Sequence, residues 1–301
     1  MNQEFNKGLF LTSLGSFWWG FIGVIYFKYL EFIGFVEVVI HRCLWTAVTL
    51  IITTFFFSKW NIFFSIIRNK KNLIGLFFSG LLIFINWAVW IYAVATDRII
   101  DASFGYFIMP ILSVFLGYIF FKERLNRKRI FSISLVILSI IILLFFSMKS
   151  LPWVGIVVGI SWGFYNLIRK KINVDTDIGL LVESLFILPF ALIAFYYVYE
   201  KGLNDFSFSN PELSLFIMLA GPMTVIPLFL YVRGVELSGL GPAGMIFYIT
   251  PTLQFLLGYF YYDEQFSTIK LGSFILIWIA VIIYLKDLYE TNYIFNNFSY
   301  I

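Results

Sequence analysis

The sequence predicts an all-α polytopic membrane protein of ten transmembrane helices, built as two inverted copies of a five-helix unit. Three observations lead there. Hydrophobic residues make up 61% of the 301 and charged residues 13%, too few charges to cover a soluble domain of this size. The apolar stretches are continuous and about 20 residues long, enough for a helix to cross about 30 Å of hydrocarbon. A series of Trp, Gly, Pro and Glu residues from the first half also recurs, in the same order, in the second. The mean hydropathy of +0.91 agrees.

Inside a bilayer each backbone N–H and C=O must be paired within its own segment, so each apolar stretch reads as a helix. The spans fall at 8–27, 35–57, 73–95, 101–121, 130–147, 151–168, 178–199, 213–235, 240–262 and 269–285. No small-residue cleavage site follows the first, which therefore reads as a membrane helix and not a signal peptide. The halves are 1–147 and 151–286, with 287–301 a polar and aromatic cytoplasmic tail. With the N-terminus in the cytoplasm, 15 of the 21 Lys and Arg lie on the inner side. Lys28, Arg98, Lys149, Lys201 and Lys270 lie outside, and Arg42 lies within a span. That bias predicts a bacterial inner-membrane protein with both ends cytoplasmic. It also accounts for the net charge of +4 without a nucleic-acid partner, which would need the charge gathered on one face.

The repeat carries the functional inference. Pro110, Gly117 and Glu123 return at one constant spacing as Pro251, Gly258 and Glu264. Trp19-Gly20-Phe21 returns as Trp162-Gly163-Phe164, and Val36-Glu37 as Val182-Glu183, at spacings that drift slightly as small loop insertions would make them. Five crossings is an odd number, so the second copy must enter from the opposite face. Inverted repeats of this kind place a solute site near the midplane, between the copies, and open it to each side in turn.

The first half carries Glu37-x-x-x-His41-Arg42-x-x-Trp45, Asn86-Trp87, Ala102-Ser103-Phe104-Gly105-Tyr106 and Lys122-Glu123-Arg124-Leu125. The second-half pieces are Gly163-Phe164-Tyr165, Leu167-Ile168-Arg169-Lys170-Lys171, Glu183 with Pro189, and Tyr248-Ile249-x-Pro251-Thr252. In order and spacing they resemble the drug/metabolite transporter superfamily, EamA type, and its RarD branch. The resemblance implies a permease with a central cavity lined mainly by the first, third, fourth, sixth, eighth and ninth spans. It implies export of a small solute, with protons a candidate coupling ion and uptake of an amino-acid-like metabolite left open. Met109, Ala95-Thr96 and Phe247 replace more polar residues of that pattern, so the cavity should be less polar.

Candidate cavity residues are Asn86, Trp87, Trp90, Tyr106, Tyr165, Asn166, Tyr248, Thr250 and Gln254, with Pro110 and Pro251 as helix breaks beside them. Such a lining suits an amphipathic or aromatic solute through stacking and cation–π contacts. The second candidate set is Glu37, His41, Arg42 and Glu183. Arg42 lies about 10 Å along its helix, where an unpaired charge costs about 2.5–3.5 kcal/mol. Arg42 is therefore expected to pair with Glu37 or Glu183, or to grip a solute anion. Glu183 is a candidate for proton coupling. The basic runs 122–129 and 169–171 read as cytoplasmic caps.

No catalytic residues, cofactor or metal are expected. Cys43 and His41 are the single residues of their types, which leaves little for a metal cluster or a triad. No P-loop is present in the sequence, so energy would come from a gradient or from exchange. Two other readings stand beside transport. One is a non-transporting membrane scaffold, and the other an intramembrane lipid-modifying enzyme using His41 with Glu37 or Glu183. The sequence carries no signal of oligomeric state.

Overall fold

The structure is a computed structural model that describes residues 3–96, 99–147, 153–261 and 268–298. Among the described residues the chain forms 11 helices. They are α1 Gln3–Tyr29, α2 Phe35–Phe56, α3 Trp60–Arg68, α4 Lys70–Ala95, α5 Ile99–Phe121, α6 Arg127–Ser147, α7 Trp153–Ile172, α8 Thr176–Glu200, α9 Pro211–Ser238, α10 Leu240–Phe260 and α11 Thr268–Phe298. At nine residues, α3 is too short to span a bilayer. The other ten match the spans read from the sequence, with ends shifted by a few residues except at the end of α11. Glu264, Arg98 and Lys149 lie outside the described residues.

The helices pack in exchange-related pairs. α1 lies along α9 as α7 lies along α4, and α10 meets α1 as α5 meets α7. α2 pairs with α8, α5 with α10 and α6 with α11, so each meets its own counterpart. A pseudo-twofold axis relates the halves, and with five crossings per half it lies in the membrane plane. Repeat-equivalent residues touch where it passes. Trp19 and Trp162 are 5.1 Å apart, edge to face, and Tyr106 is 5.7 Å from Phe247. Gly20 lies against Leu253 of α10, and its counterpart Gly163 against Leu112 of α5, the residue that Leu253 repeats. The absence of a side chain lets these helices approach closely, as small residues do in bilayers.

Symmetry fails at the prolines. A turn at Phe247–Tyr248 divides α10 into Leu240–Ile246 and Ile249–Phe260. α5 runs unbroken through Pro110. Pro251 falls in the first turn after the break, where its missing N–H has no helical partner to lose. The expectation of two equivalent proline breaks is thus corrected: one helix is broken, at the two residues before Ile249. Facing that break, α1 carries a π-helical turn at Trp18–Ile22, a distortion often found at functional positions.

The segment expected to be a tail differs too. α11 continues without interruption to Phe298. Arg129 of α6 donates from Nε to the buried Asp287 at 2.8 Å, and Lys128 pairs with Glu290 at 2.6 Å. These contacts with α6 hold the extension helical beyond Lys286. Arg129, expected in a cytoplasmic cap, is a buried ion-pair residue.

Candidate functional site

A cavity lies between the halves, close to the axis. Trp19, Gly23, Val24 and Phe27 of α1, Arg42 of α2, and Asn86, Trp87 and Trp90 of α4 form one side. Tyr106 of α5, Trp162 of α7, and Phe247 and Gln254 of α10 close the other. The volume is about 50 Å³, room for a few waters, so a solute needs these walls to part. Tyr106 and Gln254 both present polar groups to the cavity. Asn86 donates to the Val158 carbonyl at 2.9 Å and to Ser161 Oγ at 3.1 Å. Its nitrogen thereby fixes α4 on α7, and its carbonyl oxygen keeps acceptor capacity.

Five candidate residues meet on this wall: Asn86, Trp87, Trp90, Tyr106 and Gln254. The other six stand behind it. Tyr165 is buried and stacked on Trp162 at 5.2 Å, and Asn166 donates to the Trp162 carbonyl at 2.8 Å. Tyr248 donates to the Phe107 carbonyl at 2.9 Å, and Thr250 to the Ser16 carbonyl at 2.9 Å. Pro110 packs under Gly244, and Pro251 is buried in its first turn. Tyr248, Thr250 and Pro110 fasten neighbouring helices, and Tyr165 does so through Glu183, while Asn166 bonds within its own helix. Trp19, Phe27 and Trp162 join the wall without being candidates, although the repeat singles out both tryptophans.

Arg42 overturns the expected pairing. Among the described residues no carboxylate lies within ion-pair distance of it. Glu37 accepts from the backbone N–H groups of Asp205 and Phe206 at 2.9–3.0 Å and lies 3.4 Å from His41 Nε2. His41 Nδ1 accepts from Trp45 Nε1 at 3.2 Å. Glu37 and His41 thus fasten the loop between α8 and α9 to α2. The Arg42 guanidinium sits between two ring faces, 4.8 Å from Phe27 and 4.8 Å from Trp87. Cation–π contacts offset part of its desolvation.

Below the cavity five aromatic rings close the bundle. Trp19, Trp162, Tyr165, Tyr231 and Phe247 lie against one another, with neighbouring centroids 5.1–6.3 Å apart. Glu183 lies beneath them. It accepts from the Tyr165 hydroxyl at 3.2 Å and from Ser79 Oγ, and pairs with Arg169 at 3.5 Å. Arg169 is 1% exposed, lies 4.0 Å from Glu236, and donates to the Thr176 carbonyl at 3.0 Å. The acid expected to meet Arg42 therefore meets Arg169, whose place in a basic run predicts a cytoplasmic cap.

Three further ties seal this end. Lys59 bridges Asp175 at 3.3 Å and Asp177 at 2.9 Å. Burial works to lower the Lys59 ammonium, but the two aspartates outweigh it and hold it above its ordinary value. Lys170 donates to the Val235 carbonyl at 3.1 Å. Glu123 accepts from the N–H groups of Leu240 and Gly241 at 2.8 Å each, capping the start of α10. Loss of such a cap costs about 0.5–2 kcal/mol. Glu123→Ala should lower the thermal unfolding midpoint in detergent, whereas Glu123→Gln, which keeps a carbonyl acceptor, should lower it less.

A sequence profile of the EamA-like transporter family matches residues 6–145 and again 150–286. The chain belongs to that family. Among EamA-like relatives, the transporter YojE of Bacillus subtilis is 34% identical over 286 residues, covering 94% of this chain and 95% of its own. Protein RarD of Escherichia coli is 30% identical over 285 residues, covering 95% and 96%. The chain is a RarD-like permease of the drug/metabolite transporter superfamily. A solved crystal structure 14% identical in sequence aligns with a TM-score of 0.68 over 92% of this chain and 96% of its own. That similarity shows a shared fold. The same EamA-like profile matching twice, over nearly equal lengths, is the repeat seen in the helix pairs.

Proposed function

We propose that this EamA-like permease is a secondary transporter that carries a small organic solute by alternating access, with the cavity at the repeat interface as its solute site. One observation carries the reading. The cavity floor is built from repeat-equivalent residues in mutual contact, Trp19 with Trp162 and Tyr106 with Phe247. A rocking of one half against the other must part these contacts and can remake them on the opposite side. With the N-terminus in the cytoplasm, the cavity lies in the outer half of the bilayer. The aromatic floor and the cluster of Glu183, Arg169 and Glu236 then form the inner closure, and the state is outward-facing.

Proton coupling fits Glu183, an acid beneath the floor whose Arg169 partner is shared with Glu236. Taking up a proton would free Arg169 for Glu236 and loosen the inner closure. The enzyme and scaffold readings lose ground to the family, which is one of transporters.

Comparative metabolomics of a deletion strain and an overproducer names the solute, and flux into proteoliposomes then tests the site. Trp90→Ala should lower the flux at least about tenfold through lost aromatic contact, while Tyr248→Phe should leave it near wild type. The reverse order removes the cavity from the mechanism. With a pH gradient imposed, wild-type flux should respond and Glu183→Gln should not; a flux indifferent to the gradient in wild type rules out proton coupling.

A further inference from the structure

The cavity carries one formal charge and nothing to balance it. Arg42 is 6% exposed, forms part of the cavity wall, and has no hydrogen-bond partner for its Nε. Its contacts are the faces of Phe27 and Trp87. Ring faces attract a cation but leave the N–H edge of the guanidinium unused, since a π face takes no directed pair of hydrogen bonds. The remaining polar groups of the wall, those of Asn86, Tyr106, Gln254 and the tryptophan indoles, are all neutral. A buried cation that no acid neutralises is costly in a membrane. The cost falls when an anion arrives, and a carboxylate or phosphate matches the planar N–H fork with two parallel bonds.

From these observations, and resting on the proposed transport reading, we infer that the solute is an organic oxyanion with a flat apolar body. Its anionic group binds Arg42, and its body lies among Trp19, Trp87 and Trp90. The same wall disfavours organic cations, because Arg42 repels them and among the described residues no acid lines the cavity. Specificity of this kind is set by the unpaired charge as much as by the aromatic contacts.

Binding to purified protein in detergent tests this apart from transport. The probes are 3-phenylpropionate, phenyl phosphate and phenethylamine, which share a ring and differ in their charged group, read by quenching of tryptophan fluorescence. At least one anion should bind in the millimolar range, at least about tenfold more tightly than phenethylamine. Arg42→Gln should weaken that anion at least about tenfold, and Arg42→Lys, which keeps the charge but loses the fork, by an intermediate factor. The two anions distinguish a carboxylate site from a phosphate site. Should Arg42→Gln fail to fold, the order of probes on wild type and on Arg42→Lys decides. The inference is overturned if phenethylamine binds as tightly as the better anion, if neither anion binds at about 10 mM, or if Arg42→Gln leaves the affinity unchanged. Anion binding that survives while flux is absent counts against the transport reading and not against this one.

Discussion

Arg169→Ala should destabilise the protein by about 3–5 kcal/mol, because it strands Glu183 as an unpaired charge in the bundle. Glu183 is 2% exposed and keeps two hydroxyl donors, Tyr165 and Ser79. Hydrogen bonds to a carboxylate are worth about 1.5–3 kcal/mol each at best, which explains a partial loss and not complete unfolding. The pair is expected to matter for its mutual neutralisation more than for attraction. Arg169→Met combined with Glu183→Leu should therefore recover most of the loss, since apolar replacement of a buried pair is often neutral. Glu236 retains Arg233 at 3.0 Å and the Thr176 hydroxyl at 2.7 Å, and Ser79 retains the Leu76 carbonyl at 3.2 Å, so the recovery falls short mainly by the Tyr165 hydroxyl, which loses its acceptor. Unfolding in nanodiscs of Arg169→Met, Glu183→Leu and the double variant closes the cycle. A double variant no more stable than the worse single one contradicts the assignment.

Gly20→Ala and Gly163→Ala should separate even though the repeat makes the two positions equivalent. A Cβ on Gly20 would lie 2.9 Å from the Thr250 carbonyl oxygen and 3.0 Å from Thr250 Cα, both backbone atoms of α10. A Cβ on Gly163 would meet Leu112 Cδ2 at 2.6 Å, the far end of a side chain that can turn away. Replacing Gly by Ala within a helix contributes about 1 kcal/mol through propensity, against an overpacking cost of about 1–3 kcal/mol. The overpacking term wins at Gly20, where backbone must move, and roughly cancels at Gly163. Gly20→Ala should lower the unfolding midpoint clearly and Gly163→Ala should leave it close to wild type. Equal losses at both would show that the halves pack alike at this contact.

The fold is legible in the chain because its signals are local or periodic. Apolar length sets a span, loop charge sets a side, and the repeat sets the inversion. Asn86, Trp87, Trp90, Tyr106 and Gln254 can be placed near the cavity because polar or aromatic residues deep in a span have few other uses. What stays hidden is pairing between distant segments. Nothing in the chain distinguishes the buried Arg169 from its neighbours Lys170 and Lys171, since its depth depends on where α8 and α9 cross α7. An acid beside Arg42 is a sound expectation, because a membrane charge needs one. Phe27 and Trp87, which lie on two other helices, take that place. Tyr165, Tyr248, Thr250 and the Asn166 nitrogen read as lining because polar groups need partners, and backbone carbonyls or a buried acid supply them.

The proposed mechanism requires the two halves to expose one site alternately. Gln254 and Ser113 test it because they are repeat equivalents, each three positions after its proline, Pro251 or Pro110. Gln254 lines the cavity, while Ser113 is 1% exposed and packed against Gly244. Single cysteines placed at each, in a Cys43→Ser background, can be labelled in sealed vesicles with a membrane-impermeant maleimide from one side at a time. In the otherwise unaltered protein, position 254 should react from outside and position 113 should be protected. Loosening the inner closure with Glu183→Gln, which removes the charge that holds Arg169, should raise labelling of 113 from inside and lower that of 254 from outside together. A rise at 113 with no fall at 254 describes a channel open at both ends, and contradicts alternating access.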